Sequence, residues 1–143
     1  LEYFRLTGER LSEHNAREAQ REGPYDLRFF VLTMERARLY ARIEERIDEM
    51  MAQGLSDEAA RLLAAGYPKS LPAMRGLGYK ELFPYLEGEC SLDEAVTTLK
   101  TNTRRYAKRQ LTWFAGQTSG TWIDRTDKTT AQTAAEILAR LRG

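Results

Sequence analysis

Apolar and polar positions alternate along this chain with two different periods, and the changes of period mark its elements. Residues 27–33 (LRFFVLT) form a short apolar run rich in aromatic and β-branched side chains. Such a run suits a strand buried on both faces, as in a parallel sheet, although periodicity alone leaves a buried helix open. From 35 to 53 the period becomes helical, with Leu39, Ile43, Ile47 and Met50 on one stripe and Gly54 as the stop. Ser56-Asp57-Glu58 reads as the cap and acidic first turn of another helix that runs to Gly66. Pro68 and Pro72 bracket a loop, and short helical pieces are expected at 74–77 and 79–86, the second kinked or shortened by Pro84. Ser91 and Glu94 have the spacing of a capping box, opening the longest predicted helix, 92–114. Residues 121–124 (TWID) suggest a second short strand, and Thr129 or Thr130 caps a last helix carrying Ala134, Ile137, Leu138 and Leu141.

The N-terminal stretch reads differently. Leu1, Phe4 and Leu6 resemble the late turns of an amphipathic helix ending at Gly8, so the chain is expected to begin inside an element. Residues 9–26 are polar and irregular, a loop or short helix with a break at Gly23-Pro24. The order strand, helices, strand, helix gives a mostly helical α/β class. Two short strands rarely make an independent sheet, which suggests further strands in sequence outside this chain.

Composition narrows the function classes. The 143 residues carry 22 Lys and Arg against 21 Asp and Glu, so position rather than net charge must argue for nucleic acid. No run of 18 apolar residues and no signal-peptide pattern occurs, so no membrane span is expected. One cysteine, Cys90, cannot make an internal disulfide, and one histidine, His14, cannot build a histidine-rich metal site. A reducing, cytoplasmic setting is expected. Phosphate-loop, zinc-protease and serine-hydrolase motifs are all missing, and no complete catalytic constellation is present.

Two basic faces remain. Arg38, Arg42 and Arg46 repeat every fourth residue beside the apolar stripe. Three guanidiniums on one helix suit an oxyanion such as pyrophosphate, because each donates through a planar fork matched to phosphate oxygens. The bland alternative pairs Arg42 and Arg46 with Glu45, Asp48 or Glu49. The second face holds Lys100, Arg104 and Lys108 with Arg105 and Arg109 beside them: five cations within ten positions and no acid among them. That is the footprint of a phosphate-backbone contact, and the alternative is a solvated helix face. Tyr106 suits base stacking, or a place in the core with Val96 and Leu99. Between the faces, the two glycines of residues 73–80 (AMRGLGYK) permit close approach to a ligand or merely make a turn.

Taken in order, several blocks resemble the tRNA dimethylallyltransferase (tRNA isopentenyltransferase) family. They are LEYFRLTG at 1–8, RLYxRIxxRIDxM at 38–50, GYKEL at 78–82, YLEGE at 85–89, TRRYAKRQLTWF at 103–114 and WID at 122–124. The resemblance implies the C-terminal part of a P-loop-kinase-like (P-loop NTPase) fold, an ATP-binding-like nucleotide-binding architecture, with residues 1–8 leaving an inserted helical domain and 9–143 in the transferase core. It implies transfer of a dimethylallyl group from dimethylallyl diphosphate to N6 of adenosine 37 of tRNA, with Mg2+ held by ligands outside this chain. The phosphate loop and the general base are expected in N-terminal sequence outside it too, so the chain alone is expected to be inactive. By match to the family pattern, Arg46 and Arg42 would contact the diphosphate. Met74, Arg75, Gly76, Gly78, Tyr79 and Lys80 would lie on the tRNA surface, as would Thr101, Thr103, Arg104, Arg105, Lys108, Arg109 and Gln110. The partner would be an anticodon stem-loop, and the protein a monomer. Ala115-Gly116 departs from the basic residue the family pattern usually has after Phe114, which puts contacts beyond the helix in question. Two other classes stand beside this one: a stand-alone helical RNA-binding module using only the face at 100–109, and a helical protein-interaction domain whose charges are simply solvated.

Overall fold

A computed structural model describes residues 2–20, 25–117 and 120–142. Leu1 and the break expected at Gly23-Pro24 lie outside the described residues. Helix α1 (Glu2–Thr7) is followed by α2 (Leu11–Ala19), then strand β1 (Phe30–Thr33), α3 (Arg36–Ala52) and α4 (Leu55–Ala64). After a long turn region come α5 (Tyr79–Leu86), α6 (Leu92–Gln117), strand β2 (Thr121–Asp124) and α7 (Thr130–Arg142).

The core lies between α3, α4, α5 and α6, each packed on its neighbours. Ala59, Leu82 and Ala95 meet at its centre, with Met51, Leu55, Tyr79, Tyr85, Leu86 and Cys90 around them. Small residues on α4 and α6 let Leu82 of α5 sit between the helices with no exposed surface. Of the stripe on α3, Ile47 is fully buried and Leu39, Ile43 and Met50 are partly covered, as the helical period requires.

The caps follow sequence chemistry with one correction. Ser91 Oγ accepts the Glu94 N–H at 3.2 Å while the Glu94 carboxylate accepts the Ser91 N–H at 2.8 Å. These bonds hold the Glu94 carboxyl below its ordinary value. Thr129 caps α7 in the same reciprocal way with Gln132. Ser56, by contrast, sits inside α4; the cap position is Gly54, whose φ of 93° reverses the chain directly from α3 into α4. A side chain would be strained there, so the tight reversal, rather than a hydroxyl cap, sets the helix start. Residues 74–77 form turns and not a helix, and α6 runs three residues past the expected end.

The two strands pair in parallel, with Val31 opposite Trp122 and Leu32 opposite Ile123. A parallel pair needs a long crossover, and the four helices α3–α6 supply it. The expectation of a strand buried on both faces fails. Val31 and Ile123 are buried, but Leu32 is 46 % exposed and Leu27 80 %. Two strands offer too little area to cover both faces, so each face holds one buried and one uncovered side chain. At the start of the pair, Gly120 presses against Phe29, where a Cβ would come within 2.6 Å of its ring.

Candidate diphosphate cleft and RNA-facing helix

The carboxyl ends of both strands open into a cleft of about 480 Å³, lined by Leu32 and Thr33 of β1 and Met34 just after it, by Arg125 after β2, by Leu111 of α6 and by one face of α3. Ligands of open parallel sheets gather at that end of the strands, where loops leave room above the pleat. Arg42 and Arg46 enter the cleft from α3, together with Glu45 and Glu49. Among the described residues neither arginine makes an ion pair or side-chain hydrogen bond, so the pairing with Glu45, Asp48 or Glu49 does not occur. The third arginine of the stripe behaves otherwise. Arg38 bonds Asp127 at 2.7 Å and the Thr126 carbonyl at 3.2 Å, tying α3 to the turn before α7. Of the three arginines of that face, two are therefore without an ion pair among the described residues.

The second face also divides. Lys100 binds Asp48 at 2.6 Å and Arg104 binds Glu44, so both hold α6 to α3. The sequence showed no acid near enough on α6 itself; the neutralising carboxylates come from the neighbouring helix. Arg105, Lys108 and Arg109 have no ion pair among the described residues and line a surface hollow with Thr112 and Trp113. Arg109 lies over the ring of Tyr106, 5.8 Å from its centroid. Tyr106 is 45 % exposed and Trp113 57 %, so Tyr106 is not in the core. Exposed aromatics beside unpaired cations offer both stacking and phosphate contact on one helix face. In the sequence Trp113 stands out only within the 103–114 block, since an aromatic late in a helix is ordinarily core.

The loop at 73–80 is held from below. Glu81 is buried, and its carboxylate accepts the Gly78 N–H at 3.0 Å and the Asn102 amide at 3.0 Å. Gly78 adopts φ 114°, ψ −71°, a region closed to other residues, and this turn delivers the chain into α5. Lys80 approaches Glu81 at 3.7 Å. Tyr79 donates its hydroxyl to Glu58, a bond that raises the phenol above its usual value, with burial adding to it. Met74 is 3 % exposed, so its side chain belongs to the core and only its backbone is placed for a surface contact. Arg75 is exposed, while Gly76 turns tightly against the Ala73 carbonyl. Thr103 donates to the Leu99 carbonyl, Thr101 accepts from Arg104, and Gln110 lines a smaller hollow with Phe29 and Phe114. Helix α6 thus contributes Leu111 to the cleft and Arg105, Lys108, Arg109, Thr112 and Trp113 to the exposed hollow.

Elsewhere, His14 joins the N-terminal helices. Its ring packs on Tyr3 at 5.0 Å and meets Arg17, which in turn binds Glu9, closing α1 onto α2. Cys90 packs against the helical core. Among the described residues no three His, Cys, Asp or Glu side chains gather as a metal group, and no helix is long and apolar enough to cross a membrane.

Comparison with known proteins places these features in context. A sequence model of the family described as IPP transferase matches residues 1–117. The tRNA dimethylallyltransferase of Lachnoclostridium phytofermentans is 49% identical over 127 residues, 89% of this chain and 41% of that protein. That of Pelotomaculum thermopropionicum is 46% identical over 140 residues, 98% of this chain and 44% of that protein. Among solved structures, the full-length tRNA isopentenylpyrophosphate transferase of Bacillus halodurans superimposes with a TM-score of 0.79 at 42% identity, over 92% of this chain and 43% of its own. The tRNA delta(2)-isopentenylpyrophosphate transferase of Staphylococcus epidermidis gives 0.80 at 34% identity, over 99% of this chain and 46% of its own. The chain spans less than half the length of these relatives.

Proposed function

The chain belongs to the IPP transferase family, and from that membership we propose that it serves an enzyme transferring a dimethylallyl group from dimethylallyl diphosphate to N6 of adenosine 37 of tRNA. The observation that carries the reading is the sorting of cations on α3 and α6. Arg38, Lys100 and Arg104 are taken up by acids of the fold, while Arg42, Arg46, Arg105, Lys108 and Arg109 make no ion pair among the described residues. Unpaired guanidiniums in a cleft suit a diphosphate, whose negative charge grows as the prenyl carbon departs; cations fixed there beforehand lower the barrier. Arg42 and Arg46 take this role. Leu32, Leu39, Ile43 and Leu111 give the same cleft an apolar wall for a prenyl chain.

On α6, Arg105, Lys108 and Arg109 contact the phosphate backbone of an anticodon stem-loop, with Tyr106 and Trp113 available for stacking. Arg75, Gly76, Tyr79 and Lys80 extend the surface, with Met74, Thr101, Thr103 and Gln110 supporting it; Gly78 is buried and shapes the turn beneath it, and Arg104 orients α6 through Glu44 rather than meeting RNA. The surrounding core is a P-loop-like fold, the setting cytoplasmic and the protein monomeric. Mg2+ accompanies the diphosphate; the cleft of this chain offers only Glu45, Glu49 and Thr33 beside three arginines, which does not make a cation site. The sequence holds no phosphate-loop motif, and the chain alone is expected to give no transfer.

The test is a titration of the folded chain with an anticodon stem-loop at two salt concentrations. Replacing Arg105, Lys108 and Arg109 with Ala should weaken binding severalfold and reduce the salt slope by about 2–3. An unchanged slope would remove α6 from the RNA surface. A paired assay with labelled dimethylallyl diphosphate should give no transfer by the chain alone.

A further inference from the structure

Arg125 belongs to no motif of the sequence, yet it lines the cleft. It follows β2 directly, and its backbone N–H donates to the Thr33 carbonyl at 2.9 Å, extending the parallel ladder by one residue and fixing where its side chain starts. That side chain reaches into the same cleft as Arg42 and Arg46. Its Nε is buried and meets no hydrogen-bond partner, the one such side-chain atom found among the described residues. A buried donor on a charged group without a partner is costly, and native folds rarely keep one without a use for it. The carboxylates that share the cleft, Glu45 and Glu49, form no ion pair with it within 4.0 Å among the described residues. The three arginines come from two elements, a helix and the end of a strand, so they approach a bound group from different directions.

We propose that Arg125 is a third diphosphate-contacting residue, entering the cleft from the end of β2 while Arg42 and Arg46 enter it from α3. This rests on the reading of the cleft as a diphosphate site and adds to it a third guanidinium that makes no ion pair among the described residues. Arg125 thereby couples ligand to sheet register: the residue that receives the anion is also bonded through its backbone to Thr33, so binding steadies the β1–β2 pair.

The test uses this chain and inorganic pyrophosphate, followed by calorimetry and thermal melting, with Arg125→Met, Arg125→Lys and Arg42→Ala/Arg46→Ala. Arg125→Met should raise the melting temperature without pyrophosphate, because the unsatisfied donor is gone, and weaken pyrophosphate binding at least tenfold, about 1.4 kcal/mol. Arg125→Lys should recover charge but not the planar donor, giving intermediate affinity. A structural arginine would behave in the opposite way, with Arg125→Met lowering the melting temperature. Should that occur, or should Arg125→Met bind as the original chain does while Arg42→Ala/Arg46→Ala weakens binding, the role of Arg125 is refuted and the cleft stands. Absence of pyrophosphate binding by the folded original chain refutes both.

Discussion

Replacing Glu81 with Ala tests how the loop before α5 is held. The carboxylate is buried and spans two partners from separate parts of the chain, the Gly78 N–H and the Asn102 amide of α6, each at 3.0 Å. Removing it strands Gly78 N–H in a buried turn and leaves the Asn102 amide partly buried. Hydrogen bonds to a charged group contribute about 1.5–3 kcal/mol each, and an orphaned buried donor costs about 1–3. Lys80 adds little, since it stands 3.7 Å away and half in water. The Gly78 bond counts near the middle of its range and the Asn102 bond near the bottom, so Glu81→Ala should cost roughly 3–4 kcal/mol by these ranges. Urea unfolding of the chain followed by far-ultraviolet circular dichroism measures it. Glu81→Gln retains an acceptor for Gly78, and Asn102 can rotate to accept from the new amide, so its cost should be about 1 kcal/mol by the same reasoning. A loss below about 1 kcal/mol for Glu81→Ala would refute the reasoning. A Gln variant as unstable as the Ala variant would show that charge, not the pair of acceptors, holds the loop.

Leu82→Ala, at a site with no exposed surface between α4 and α6, should lose about 2–5 kcal/mol on the same denaturation curve. Ser91→Ala removes half of the reciprocal cap of α6 and should cost about 1 kcal/mol, with a smaller loss for Ser91→Gly. Stability should hold from neutral pH to about pH 5 and then fall. The carboxyls of Glu94 and Asp124 lie below their ordinary values of 4.5 and 3.8 because Ser91 and Thr126 donate to them, so their contribution is full above those values and disappears as pH drops through the lower, folded ones. In Ser91→Ala the acid limb should be shallower, readable in melting temperatures between pH 2.5 and 7; an unaltered limb would mean Glu94 contributes nothing there.

Local chemistry was readable in the chain itself. The stripe of Leu39, Ile43 and Ile47, the Ser91–Glu94 box and the TWID strand all depend on neighbours within a few residues, and the structure reproduces them. The blocks at 38–50 and 103–114 likewise carry the family resemblance in the sequence alone. Tertiary structure decided which charges are free. Lys100 and Arg104 look the same as Lys108 along α6, and only the packing of α3 against that helix sets Asp48 and Glu44 opposite the first two, 52 and 60 residues away in sequence. Arg125 shows the same limit from the other side. It is one arginine in an ordinary turn until the parallel register of β2 on β1 sets it beside Arg42 and Arg46, because a contact across a crossover of four helices leaves no periodic trace in the sequence that makes it.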